Sequence, residues 1–442
     1  MKKIQTVATS LIALGALSSA LSADDLHTSL TDGKFDANLK SFYFHGDRDN
    51  RTDREALAVG GILKYESACY YGFKVGTAFY VSHDLLRFGD QTAQKGSIEN
   101  GGSVNIVTKD LAGNTEMVNS DGSDIEVLGE AYLQYTIGGT RLKVGRQRIN
   151  TPLMNDYYNR FLPNSFEAAV LTNKDIPGTE LIGIYAYGWK YKASDTFIKM
   201  TEALGDPNID ENMAVVGFKN KSIPKLQIQA YDYFMNNVMN TVYLQVDGKK
   251  VIDTGFFNTS FALQYLQQTD KFMEQIDMGD SLLGEFDTYL AGGKLAFGIG
   301  NASLKFMYDK VGDYTIKGSG TSYSKMGYSK FVNFTDIQID GEALNAGAES
   351  YGVVFGYKFG NLKPAVKYVH IEQDLEKQAA GDTPNTRPSS DEYNLDIKYK
   401  INSFSKLRVR FAYIDYESTH KNEFDEINTR VIYDYKFSLS GK

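Results

Sequence analysis

Polar and apolar residues alternate along most of this chain. Tyr351, Val353, Phe355, Tyr357 and Phe359 share one parity, with Gly352, Val354, Gly356 and Lys358 on the other. From Ser405, residues Leu407, Val409, Phe411 and Tyr413 face away from Lys406, Arg408 and Arg410. Thr179 to Lys192 sets Leu181, Gly183, Tyr185, Tyr187, Trp189 and Tyr191 against Ile184, Ala186, Lys190 and Lys192. Side chains of a strand alternate between its two sides, so each segment reads as a strand with one aromatic-rich face and one small or charged face.

Carried along the chain, the pattern predicts about eighteen strands. They lie near 36–44, 55–66, 70–81, 125–137, 140–147, 164–172, 179–192, 213–221, 225–235, 239–247, 256–268, 287–299, 302–312, 351–360, 362–374, 391–401, 405–417 and 426–437. Most have the length of a tilted strand that crosses a bilayer core. Short connections with turn chemistry (Gly138-Gly139, Ser222-Ile223-Pro224, Gly300-Asn301, Gly360-Asn361, Asn402-Ser403) alternate with long polar ones at 82–124, 148–163, 193–212, 269–286, 313–350 and 375–390. A soluble sandwich would have to bury the charged faces. A closed all-β transmembrane barrel instead puts the aromatic faces against outer-membrane lipid and leaves no backbone edge unpaired. Tyr433, Tyr435 and Phe437 suit an interfacial girdle near the chain end, although the chain runs on through Ser438–Lys442.

The first residues agree with export. Met1-Lys2-Lys3 is a positive head, an apolar run follows to about Leu21, and small residues offer cleavage after Ala20 or Ala23. Residues 1–23 are therefore expected to be a signal peptide and 24–442 a single barrel domain. No later apolar run is long enough for a transmembrane helix.

Composition narrows the class further. Tyrosine (30), phenylalanine (26) and glycine (41) are abundant while proline (8) is scarce, a mix suited to strands and tight turns. The single cysteine, Cys69, excludes an intrachain disulfide. A formal charge of -8, more negative still once Lys2 and Lys3 leave with the leader, argues against nucleic acid as a partner.

With the aromatic faces outward, the other faces line a lumen. On the later strands that face carries Lys305, Lys358, Lys363, Lys367, Lys398, Lys400, Lys406, Arg408, Arg410, Arg430 and Lys436; earlier strands add Arg141 and Lys143, with Glu126 and Glu130 expected to point inward as acids. A basic wall facing acidic groups would guide a charged solute along a narrow, low-dielectric passage. Small polar or anionic solutes are the partners this predicts.

The run Gly145–Ala168 follows the fifth strand, holds Pro152 and Pro163, and mixes Asn155, Asp156, Tyr157, Tyr158 and Arg160. A loop of this kind folded into the barrel would narrow it. Through its Gly-Arg strand end, Thr151-Pro152-Leu153-Met154 and Arg160-Phe161-Leu162-Pro163-Asn164-Ser165-Phe166-Glu167-Ala168, the sequence resembles the OprD family of outer-membrane porins. The resemblance implies an eighteen-stranded barrel, monomeric or homotrimeric, with an inward third loop and a basic ladder conducting carboxylate-bearing nutrients such as amino acids. Asn155, Asp156, Tyr157, Tyr158 and Arg160 then become constriction candidates, and Arg408 and Arg410 ladder candidates. A general porin of similar architecture remains an alternative.

Other chemistry finds little support. His27, His45, His83, His370 and His420 are scattered, none at metal-ligand spacing, and no catalytic triad can be argued. Gly101-Gly102 precedes no helix, so no phosphate loop is expected. Asp121 and Asp124 are candidate calcium ligands. No cofactor is expected. Passive porin, barrel enzyme and surface adhesin are the classes left; the long loops suit an adhesin, whereas the charged lumen face favours transport.

Overall fold

A computed structural model describes residues 23–49, 53–87, 115–156, 158–202, 210–236, 238–269, 287–314, 332–336, 338–339, 344–374, 376, 389–417 and 425–440. Residues 1–22 of the proposed leader 1–23, and Tyr157, lie outside the described residues. After a helix α1 (Ala23–Thr31) come β1 (Lys34–Arg48), β2 (Arg54–Glu66), β3 (Phe73–Asp84), β4 (Ile125–Ile137), β5 (Thr140–Gln147) and β6 (Ser165–Asn173). These are followed by β7 (Thr179–Lys190), β8 (Met213–Asn220), β9 (Leu226–Met235), β10 (Met239–Asp253), β11 (Phe257–Thr269) and β12 (Asp287–Ile299). The last six are β13 (Ala302–Val311), β14 (Glu349–Tyr357), β15 (Leu362–Glu372), β16 (Ser390–Lys400), β17 (Ser405–Tyr416) and β18 (Glu426–Ser440).

Each strand pairs antiparallel with its chain neighbours, and β1 pairs with both β2 and β18, which closes an eighteen-stranded barrel. Among the described residues no helix is long and apolar enough to cross a membrane. Turns such as Gly300-Asn301 and Gly360-Asn361 use glycine at φ 54° and 56°, a left-handed conformation that costs other residues energy. Turns of this kind gather on one rim with α1, where the Ser29 hydroxyl donates to Ala68 O at 2.8 Å. The longer loops gather on the other. We number these L1 to L9 in chain order, among them L2 (85–124), L3 (148–164), L4 (191–212) and L7 (312–348); L1 (49–53) and L5 (236–238) are short, so loop length does not alternate as regularly as expected.

The outward face is apolar and aromatic. Phe355, Val366, Leu395 and Phe411 are exposed on neighbouring strands. Rings meet across the strands toward the loop rim (Tyr368–Tyr393 at 5.2 Å, Tyr265–Tyr289 at 6.3 Å) and toward the turn rim (Phe257–Phe297 at 6.2 Å, Phe35–Phe437 at 6.4 Å). These are the two girdles of a membrane barrel. β18 runs past the aromatic residues to Ser440 and stays paired with Lys34 there.

Two bulges overturn face assignments made by strict alternation. In β4 the register with β3 shifts at Ala78/Phe79, leaving Gly129 unpaired; a Cβ there would lie 2.4 Å from the Tyr80 ring. One extra residue reverses every side chain beyond it. Glu130 therefore points inward, but Glu126 pairs with the outward Val81 and stands on the outer face beside His83, not in the lumen. In β7 the extra residue is Tyr187, and Trp189, expected on the lipid side, is 1 % exposed within the interior apolar cluster. Tyr191, expected beside it on the lipid side, packs against the same cluster.

Candidate functional site

L3 is held across the lumen by apolar anchors at both its ends. Leu153 and Met154 pack with Phe166, Ile184, Trp189 and Tyr233 on the β6–β9 side. Phe161 and Leu162 pack with Phe42, Ala58 and Tyr80 on the β1–β3 side, together with Met117 and Val118 of L2. All four L3 side chains are buried, and each such burial contributes about 1.5–3 kcal/mol. The two ends of the loop are thus fixed to two different parts of the inner wall.

Local hydrogen bonds stiffen the crossing. The Thr151 hydroxyl donates to Met154 O at 2.8 Å, the Leu153 N–H donates to the Tyr233 hydroxyl at 3.2 Å, and the Asn164 N–H donates to Asp156 O at 2.8 Å. Asn155 is buried, its amide donating to Pro152 O at 3.2 Å, so it shapes the loop from within. Asp156 accepts from Arg148 Nε at 2.8 Å. Tyr158 accepts from Asn38 Nδ2 at 3.1 Å, and its ring lies 3.6 Å from Lys40 Nζ. Lys40 also donates to Arg160 O and Phe161 O, at 3.1 and 3.2 Å, so this strand lysine clamps the loop backbone.

Arg160 is buried, and its Nε meets Glu116 Oε2 of L2 at 3.0 Å. Lys192 of L4 reaches the same oxygen at 3.0 Å, and the Tyr191 hydroxyl donates to Oε1. Three loops thus converge on one carboxylate, and Glu116 adopts a left-handed φ of 58° to present it. Burial pushes Glu116 up, but Lys192 and Arg160 outweigh it and hold the carboxyl well below the ordinary 4.5. Its stabilising contribution is complete above that ordinary value and is lost only as pH falls through the lowered one. Burial pushes Lys192 down to about 8, with Glu116 opposing the shift. Glu116→Ala is expected to leave the barrel assembled but to add frequent gating transitions to single-channel recordings; a current as quiet as wild type would show that the knot does not restrain the loops.

L7, which alternation alone did not single out, closes the site from the opposite wall. Thr335 donates through its N–H and hydroxyl to Asp309 at 2.7 and 2.8 Å. The Gln338 and Ile339 N–H groups donate to Glu392 at 2.5 and 2.8 Å, and Arg430 Nη2 donates to Gln338 O at 2.8 Å. Val332, Phe334 and Ile339 make this stretch too apolar for a solvated loop, which is the signal that could have marked it.

The basic residues divide by height and by pairing. Register sets Lys406 opposite Asp434, Lys398 opposite Arg408, and Arg410 opposite both Asp396 and Arg430. Arg408 donates twice to Asp396, both at 2.7 Å, and Lys398 lies 3.1 Å from the same carboxylate, which sequence reasoning missed. Among the described residues the Arg410 Nε is buried without a hydrogen-bond partner. Arg430 is 1 % exposed and its contacts fasten L7, so it is less a rung than a clamp. Lys367 pairs with Asp336 of L7 at 3.1 Å. Arg141, Lys305, Lys398 and Lys406 are exposed toward the turn rim, and Lys358 lies just past the end of β14 in its turn. Lys143 lies 3.5 Å from the Tyr132 ring centre, and Glu130 accepts from Lys64 and Tyr80 at 2.8 and 3.1 Å. Asp121 and Asp124 do not converge: Asp121 accepts from Ser123, whereas Asp124 faces His83 at 2.7 Å.

The arrangement is a closed barrel with L3 and L7 packed against its inner wall and cations gathered along β15–β18. A model of outer membrane porins of the OprD family matches residues 29–439. Among solved structures, the chain is similar to Pseudomonas aeruginosa OccK9 (OpdG), at 18% identity over 93% of this chain and 100% of that one, with a TM-score of 0.72. It is similar to P. aeruginosa OpdK crystallised with vanillate, at 19% identity over 93% and 100%, TM-score 0.69. Acinetobacter baumannii OccAB3 gives 17% identity over 92% and 100%, TM-score 0.70. At these identities the likeness is one of fold. Among curated proteins none matches.

Proposed function

This chain belongs to the OprD family of outer membrane porins, and from that premise we propose that it admits small carboxylate-bearing nutrients, amino acids or small organic acids among them. Family and fold are those of channels and not of enzymes. The observation that carries the substrate class is the arginine column. Arg408 and Arg410 lie on β17 beside the Asp396 carboxylate of β16, and among the described residues Arg410 Nε has no hydrogen-bond partner. An anion passing L3 would meet that guanidinium in a low-dielectric passage where charge attraction is strong. The solved relative OpdK, crystallised with vanillate, supports an acid as cargo. Asp156, Tyr158 and the L7 residue Asp336 are the groups that would face the solute across the gap. Each barrel encloses its own passage, so the channel works equally as a monomer or within a homotrimer, after removal of residues 1–23.

The reading is tested by reversal potentials in a KCl gradient across planar bilayers. Wild type is expected to prefer anions, and Arg410→Ala to lose most of that preference with little change in assembly. A cation preference in wild type, or an unchanged reversal potential in the variant, would overturn it.

A further inference from the structure

Away from the arginines, strand register builds a second polar feature that the ion pairs do not use. Lys219 of β8 stands opposite Gln229 of β9, Gln229 opposite Gln245 of β10, and Gln245 opposite Gln264 of β11. Directly opposed residues of antiparallel strands share a face. That face is the lumen, since the flanking Phe218, Leu244, Leu263 and Tyr265 are exposed outside. Three carboxamides therefore sit at one level on three consecutive strands, spaced at about 4.8 Å by the sheet.

Neighbours orient the row. Gln245 Nε2 donates to both oxygens of Asp247, at 2.7 and 2.8 Å. The Tyr243 hydroxyl donates to the carbonyl oxygen of Gln245 and, at 3.4 Å, to that of Gln264. Gln264 Nε2 passes over the bare Gly292 to reach Asp309 at 2.9 Å. In front of Gln229 and Gln245 lies a cavity of about 410 Å³, roofed by Asn150 of L3 and Asn333 of L7, with Lys219 and Lys294 in its lining. The one carboxylate among its described lining residues, Asp336, is engaged by Lys367 at 3.1 Å. The Phe334 ring is covered by Lys294 Nζ at 4.4 Å, which leaves little bare aromatic surface to stack on.

A carboxamide donates and accepts at once, as a hydroxyl does, so the amides that line the cavity, Gln227, Gln229 and Gln245 with Asn150 and Asn333, match a polyhydroxylated chain rather than a bare ring, while Gln264 stays buried behind them. Two lysines supply charge for a carboxylate, and the volume lies within the range of small-ligand sites, about 300–1,000 Å³. We propose that this cavity is a subsite for hydroxylated carboxylates, the class of sugar acids and polyhydroxy acids. The proposal rests on the carboxylate reading above and narrows it.

The experiment uses the full channel in planar bilayers with gluconate and benzoate, two acids of equal charge. Wild-type current is expected to be half-blocked by gluconate at a concentration about five- to tenfold lower than by benzoate, as a few extra hydrogen bonds would give. Gln229→Leu should bring that ratio close to one while the KCl reversal potential holds. If the leucine variant fails to assemble, Gln229→Met of similar length replaces it. Equal half-blocking concentrations in wild type, or an unchanged ratio in the variant, would overturn the subsite. The ratio of two like-charged acids reads the amides, whereas the reversal potential reads the arginine wall, so either reading can fail without the other.

Discussion

Leu395→Arg is expected to keep the barrel from assembling, whereas Asn394→Arg, one residue earlier, is expected to assemble normally. Leu395 lies mid-strand on β16, exposed outward, with Val366 and Phe411 directly beside it in register. A guanidinium there meets hydrocarbon and apolar neighbours. A basic residue at the bilayer midplane of such a barrel costs about 2–4 kcal/mol. Asn394 points into the lumen beside Glu392, from which its amide nitrogen is 2.7 Å, so a cation at 394 has water and a carboxylate. Heat-modifiable migration of both variants extracted from outer membranes checks this. Equal folding of the two would mean that the faces of β16 are assigned the wrong way round.

The second large effect is expected from Glu392→Ala. That change removes the acceptor of two L7 backbone N–H groups and leaves them buried without partners. An unsatisfied buried donor costs about 1–3 kcal/mol. L7 should leave the wall, freeing Arg430 from Gln338 O as well, and single-channel conductance should rise to about twice the wild-type value or more, as expected when a constricting loop is displaced. Glu392→Gln keeps an acceptor and should fall between. An unchanged conductance in the alanine variant would show that Asp309 and Thr335 hold the segment alone, or that L7 does not narrow the path.

Much of this molecule is legible in the amino-acid sequence alone. All eighteen strands lie where alternation predicts them, with ends displaced by a few residues, because an outward apolar face against lipid demands period two throughout. β10 is the largest departure. It runs on to Asp253 past an irregularity at Gly248/Ile252 that periodicity does not register. Glu126 and Trp189 show the same limit more sharply. A bulge is one residue, but it exchanges the faces of everything beyond it. Gly129 was the local hint in one case, and Tyr187 gave none in the other.

The packing of the third loop was legible in outline only. Two prolines and mixed polarity mark L3 as unusual, yet nothing local says that Asn155 and Arg160 serve the loop's own architecture while Lys40 clamps it from β1. Nor does composition disclose that Glu116 draws three loops together. Alternation is a local property, written in neighbouring residues, so it dictates the strands and, up to a bulge, which of their faces is apolar and which charged, without reference to the rest of the chain. Pairing within the lumen is not local: Glu392 meets Gln338 across 54 positions and Arg54 meets Glu426 across 372. Which cations remain open to a solute, and which are spent holding L3 and L7, follows from those distant contacts, and only the closed barrel brings them within reach.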